Sequence, residues 1–242
     1  VFRVAVAGIA TISIGVHAVD GGRIAPFSTA PAGADVPPGW EVTRLPRVPR
    51  STVYRIEVED GTRVLRADAD ASMAGLTHRL RADPARTPWL SWRWKVSGVV
   101  EKGRFSSKAG DDFAARVYVL FDYDTGKLGL GARMKLKLAR ALYGDAVPAA
   151  GLCYVWDAQA PAGTSGWSPF TDRLRVIVVS SGAAQAGQWV DVARDVAADF
   201  RTAFGEDAPP VSAIAVATDT DNTGGSVTAW YGDIAFSVRP PH

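Results

Sequence analysis

The stretch LSWRWKV, residues 90–96, alternates bulky apolar with polar side chains, and this period of two constrains the fold more than any other feature. Leu90, Trp92, Trp94 and Val96 share one face; Ser91, Arg93 and Lys95 share the other. That is the signature of a strand buried on one side. DFAARVYVLF repeats it, with Phe113, Ala115, Val117, Val119 and Phe121 opposed to Ala114, Arg116, Tyr118 and Leu120. STVYRIEVEDGTRV reads as a hairpin turning at Asp60-Gly61. GLTHRLRAD, GLCYVWDA, DRLRVIVVSSG, SAIAVATDT and SVTAWYGDIAFSV add further runs bounded by turn residues. Roughly nine such runs predict a mainly β, jelly-roll-like β-sandwich rather than alternating βαβ units.

Two segments break the pattern and predict short helices, at about 133–143 and 195–204. In the first, Met134, Leu138, Ala141 and Leu142 recur at helical spacing as an apolar stripe, with Arg133, Lys137 and Arg140 on the other side. In the second, Val192, Val196, Phe200 and Phe204 repeat every four residues. The alternation over Trp189–Ala193 makes its first part a strand to about Arg194, and Gly205 stops the helix.

The N-terminal end reads as an address. Arg3, an apolar run over 4–16 and the small residues Val16 and Ala18 predict a signal peptide over 1–18, cut after Ala18. The run is shorter than the ~20 residues a bilayer span needs. Periplasmic or secreted localisation follows as an expectation. Residues 19–39, rich in Gly, Pro and Ala, read as a linker or loosely docked arm, and 40–239 as a single β-sandwich domain. No later stretch has the character of a membrane span.

Composition removes several function classes. A net charge of +2 with scattered basic residues does not suit nucleic acid. Cys153 is the only cysteine, so no internal disulfide forms. With His17, His78 and His242 the only histidines, a histidine zinc site or a Ser-His-Asp triad has almost nothing to rest on. P-loop, dinucleotide, nucleophile-elbow and C-x-x-C motifs are absent from the sequence.

Candidate site residues come from strand parity. If the strands around 93 and 116 are neighbours, Arg93, Lys95, Arg116 and Tyr118 line one surface. Guanidinium forks and a ring suit a carboxylated or hydroxylated ligand, carbohydrate or anionic. A solvated face with ordinary cross-strand pairs explains the same residues equally well. Asp111 and Asp112 precede the second strand as a turn, as cation ligands, or as a carboxylate orienting Arg116; Asp112 joins the ligand-binding set. The oxygen-rich turn TDTDNTGG offers Asp219, Asp221 and Asn222, with Asp233 beyond, as a candidate calcium site. It is no EF-hand loop, since Trp230 stands where the bidentate glutamate belongs. Asx hydrogen bonds within a structural turn are the competing account. After this turn, Trp230, Ile234 and Phe236 are core candidates, which sends Tyr231 and Asp233 outward.

Taken together, PPGW, SWRWKV, GDDFAARVYVLF, LARALYGD, LCYVWD, FRTAFGED and TDTDNTGGSVTAWYGDIAF resemble the bacterial domain of unknown function 3047 over about residues 38–238. That resemblance implies an exported bacterial protein and carries no catalytic residue with it. The closing strands also look like those of jelly-roll carbohydrate-binding modules. Three functions stay open: binding of a carbohydrate-like or other polar ligand, with or without a structural calcium; a polysaccharide-active hydrolase or lyase using Asp pairs; and an envelope structural or assembly protein.

Overall fold

The computed structural model describes residues 22–46, 48–143 and 147–241, so the expected signal peptide lies outside the described residues. The strands are β1 (Gly22–Arg23), β2 (Glu41–Thr43), β3 (Val53–Glu59), β4 (Thr62–Asp70), β5 (Gly75–Ala82), β6 (Trp89–Val96) and β7 (Ala115–Phe121). They continue with β8 (Gly151–Asp157), β9 (Ser165–Ser168), β10 (Thr171–Ser181), β11 (Val190–Asp195), β12 (Val211–Ala217), β13 (Ser226–Tyr231) and β14 (Ala235–Ser237). Two α-helices, α1 (Leu130–Tyr143) and α2 (Val196–Phe204), complete a mainly β, jelly-roll-like sandwich.

The strands form two sheets. In one, which we call the tryptophan sheet, the order is β11–β6–β13–β4–β3. There β14 continues the line of β13 along β6, and β1 lies outside β14. The other, the groove sheet, runs β2–β5–β12–β7–β8–β10–β9 and is antiparallel except where β8 and β10 run parallel. Alternation builds the interface between them. Trp92 and Trp94 point inward from β6 and meet Tyr154 and Trp156 of β8, with ring centroids 5.4 and 6.0 Å apart. Two of these indoles keep their N–H satisfied, Trp94 donating to Ser180 Oγ (3.1 Å) and Trp156 to the Gly182 carbonyl (2.9 Å), whereas Trp92 Nε1 is buried without a partner.

The strand-to-helix junction lies where the sequence puts it. The Asp195 side chain accepts from Ala198 N (2.9 Å) as an N-cap, and Gly205 takes a left-handed C-cap at φ 73°. Phe200 buries this helix against Phe121, 4.5 Å between ring centroids. Residues 22–40 are docked rather than loose: Ile24 and Phe27 are buried, and Trp40 lies 4.9 Å from the Phe27 ring.

Three parts of the sequence reading need correction. First, α1 turns its apolar stripe outward. Met134 and Leu138 are exposed, and the helix instead packs through Leu136 and Ala132 on Leu128, Val147 and Ala149. Second, Tyr231 is buried and Trp230 lies on the outer face. The break at Gly232-Asp233 resets the alternation, so that Ile234 and Phe236 again face inward. A Cβ at Gly232 would stand 2.6 Å from Arg93 Cγ, so any side chain there forces that arginine to shift. Third, Phe113 precedes β7 and joins Cys153, Val155, Val176 and Val178 in a small cluster separate from the inter-sheet core.

Candidate functional site: an acid-rich groove on the outer face of the groove sheet

Strands β6 and β7 belong to different sheets, which separates the residues that parity alone had grouped. Arg93 and Lys95 emerge on the outer face of the tryptophan sheet. Lys95 pairs with Glu59 and sits 4.6 Å from the Trp230 ring, and Arg93 stacks on Trp189 at 4.5 Å. Arg116 and Tyr118 emerge on the far side of the molecule, from β7 in the groove sheet. Asp233 is also remote from the 219–222 turn. Its carboxylate accepts from Ser28 N and Oγ (2.9 and 2.6 Å) and pairs with Arg23 at 3.3 Å. It ties the N-terminal arm to the bulge between β13 and β14.

What the fold does bring together is the GDD turn before β7 and the TDTDN turn after β12. These strands are antiparallel neighbours with Ala217 opposite Arg116, so the start of one lies beside the end of the other. Asp111, Asp112, Asp219 and Asp221 therefore meet around a single cation, Arg116.

Every donor of that guanidinium is used. Nε donates to Asp219 Oδ1 (2.8 Å) and Nη2 to Asp219 Oδ2 and the Asp111 carbonyl; Nη1 donates to Asp111 Oδ2 and the Tyr118 hydroxyl, each at 3.3 Å. Arg116 thus has no donor left for a ligand carboxylate. Its side chain and that of Asp219 are only 4 % and 2 % exposed, which makes this a buried, bidentate pair. Asp112 is the anchor of the following turn, accepting from Asn222 N and Nδ2 (3.2 and 3.0 Å) and from Thr223 N (2.6 Å). Asn222 thus enters the site as a donor to Asp112.

Charge does not balance here. Burial pushes the Asp219 carboxyl up to about 8, with Asp112 and Asp111 adding to the shift and Arg116 opposing it. Burial likewise raises Asp111 against the pull of Arg116, and raises Asp221 with help from Asp112. Arg116, although desolvated, is held well above its ordinary range by Asp111 and Asp219. Asp111 Oδ1, Asp221 Oδ1 and Thr223 Oγ1 are buried without a hydrogen-bond partner. Such orphaned polar atoms are costly in a native structure, and the two carboxylate oxygens ask for a donor from outside the chain.

Above this polar floor lies a groove of about 340 Å³, within the size range of small-ligand sites. Its walls are apolar, including Leu45 and Pro46 before β3, Leu120 of β7, Val147 and Pro148 after α1, and Phe170 and Leu174 around β10. Asp111, Arg116, Tyr118, Asp219, Asp221 and Asn222 also line it. Asp112, Asp219 and Asp221 offer oxygens mutually within 4.8 Å, the separation a hard cation would use. Guanidinium and amide donors already hold those of Asp219 and Asp112, so a calcium, which takes six to eight oxygens, would have to share them.

A model of the protein family of unknown function DUF3047 matches residues 38–235. The chain belongs to that family. No curated protein matches it. Among solved structures it is similar to the xyloglucanase domain of NopAA, a type three effector from Sinorhizobium fredii. Identity there is 11 %, with 90 % of this chain and 99 % of that chain covered at a TM-score of 0.45. The family 12 xyloglucanase of Bacillus licheniformis is 11 % identical over 93 % of this chain and 99 % of that one, TM-score 0.39. The glycoside hydrolase domain of Endo-D from Streptococcus pneumoniae R6 is 10 % identical over 83 % of this chain, TM-score 0.35. The chain spans only 21 % of that protein's length.

The sequence reading takes Asp111 as a turn residue, a cation ligand or a carboxylate orienting Arg116, and Asp221 as a cation ligand; both also line the groove. The signal lay in two acidic doublets, GDD and DTD, standing at strand ends.

Proposed function

We propose that this is an exported ligand-binding protein whose groove takes a small, hydroxyl-rich, carbohydrate-like molecule. One observation carries the reading: buried carboxylate oxygens of Asp111 and Asp221 without partners, at the floor of a groove with apolar walls. Sugar hydroxyls donate to such oxygens, and the C–H face of a sugar ring packs on Phe170, Leu120 and Leu174. Arg116 orients the floor rather than touching ligand, Tyr118 and Asp221 contact it, and Asp112 fixes the 222–223 turn. Arg93 and Lys95 have no part in this site. An anionic ligand is disfavoured, because it would meet free acceptors and no free donor of Arg116.

Titration calorimetry with a panel of neutral gluco-, xylo- and manno-oligosaccharides tests the proposal. Asp221→Asn should weaken the best binder at least about tenfold, the scale of losing one charged hydrogen bond, without loss of folding. A correctly folded wild type that binds none of the panel overturns it. Hydrolysis is the second reading, favoured by the raised carboxyls of Asp111 and Asp221, since two carboxyl groups are what glycoside cleavage needs. Reducing-sugar release by the wild type, lost in Asp221→Asn, would select it. Calcium is the competing occupant of the Asp112, Asp219 and Asp221 oxygens. A rise in melting temperature with calcium but not with magnesium would favour it over a ligand donor.

A further inference from the structure

Helix α1 is built backwards for a helix that only covers a sandwich. Leu130, Met134 and Leu138 recur every four residues and are 79, 71 and 61 % exposed, whereas the packed side is the short pair Leu136 and Ala132. A contiguous apolar stripe of this kind on a surface marks a contact with something else.

The charges around it say what. Residues 130–143 contain Arg133, Lys135, Lys137 and Arg140 and no carboxylate. At 3.6 residues per turn, Arg133 and Lys137 flank the stripe on one side and Lys135 on the other. Arg133 and Arg140 use part of their guanidinium on local carbonyls, of Leu128, Gly126 and Val147. Lys135 and Lys137 are exposed and show no partner among the described residues. Asp145, just past the helix, leaves the segment strongly positive.

We propose that α1 is a docking helix for an anionic lipid surface, lying in the plane of the interface. Leu130, Met134 and Leu138 enter the acyl boundary, and Lys135 and Lys137 sit against the phosphates, the arrangement of an interfacial amphipathic helix. Val147, which packs under this helix, also forms part of the groove wall.

The apolar run over 4–16 could itself bind lipid, so the test reads α1 alone. Cys153 is fully buried, so Met134→Cys supplies one accessible thiol for an environment-sensitive dye on the full chain. With vesicles of phosphatidylglycerol and phosphatidylcholine the emission should shift to the blue and revert in high salt. Adding Lys135→Glu and Lys137→Glu should raise the lipid concentration for half-maximal shift at least about tenfold, since each surface cation near anionic lipid counts for roughly that order. All these positions are exposed, and unchanged circular dichroism confirms folding. No shift with anionic vesicles overturns the proposal. So does an equal shift with pure phosphatidylcholine, or one that the lysine reversals leave unchanged.

Discussion

The two outer faces of the sandwich handle charge in opposite ways. On the tryptophan sheet, cations and rings alternate as Arg66, Trp230, Lys95, Trp189 and Arg93, with cation-to-ring distances of 4.5–5.4 Å. Carboxylates are interleaved. Arg66 is bound by Asp68 and Glu57, Lys95 by Glu59, and the Trp230 indole donates to Glu57 Oε1 at 2.5 Å. On the groove sheet, four carboxylates gather at one arginine and two keep an unpartnered oxygen. The first face looks richer in the residues that bind ligands, yet its groups have already found one another. The second has unmet demand, and unmet demand in a groove is what a ligand can satisfy. Residue type alone does not separate these cases; the state of each atom's partners does.

The largest effect should come from breaking the groove-side centre. Arg116→Met leaves Asp111, Asp219 and their neighbours without a cation. Removal of one partner from a buried ion pair costs about 3–5 kcal/mol, so chemical denaturation above about pH 8, where Asp219 is ionised, should show a loss of that order. Intermediate in size is the pH response. Asp219 moves from an ordinary 3.8 to about 8 on folding, so the folded chain holds a proton that the unfolded chain releases between those values. Its contribution is complete below about pH 4 and fades as pH rises through about 8. Thermal melts across that window should decline toward alkaline pH, and Asp219→Asn should flatten the decline. Smallest is the tryptophan face. Lys95→Met keeps the stem between Trp189 and Trp230 and removes only the head group, at about 2 kcal/mol. Oligosaccharide affinity should not change. If Lys95→Met weakened binding as much as Asp221→Asn does, the contrast between the faces would be wrong.

Strand parity was legible, and it assigned Trp92, Trp94, Val117 and Val119 to the core and Arg116 and Tyr118 to an outer face. Parity names a face but not a sheet, because an outward residue looks the same on either side of a sandwich. Arg93 and Arg116 were therefore joined in the reading and are apart in the molecule. The 190–204 segment was legible down to the change from strand to helix, because Asp195 and Gly205 carry the capping chemistry locally. Trp230 and Tyr231 were exchanged because a bulge costs one position of alternation and leaves no mark beyond Gly232. The acidic centre was hidden for a different reason. Its halves lie about a hundred residues apart, and only the pairing of β7 with β12 unites them.

The parallel alignment of β8 and β10 gives the short strand β9 a protective duty. The chain leaves β8, forms β9 at the rim, and returns as β10 between the two. Without those four rim residues and the preceding Gly163 and Thr164, which bond Val178, the run Arg175–Val178 would present its unpaired amides and carbonyls to any passing extended chain, and a stretch of that composition recruits further copies of itself. The safety of this end of the molecule against fibrillar growth thus hangs on the short segment 163–168.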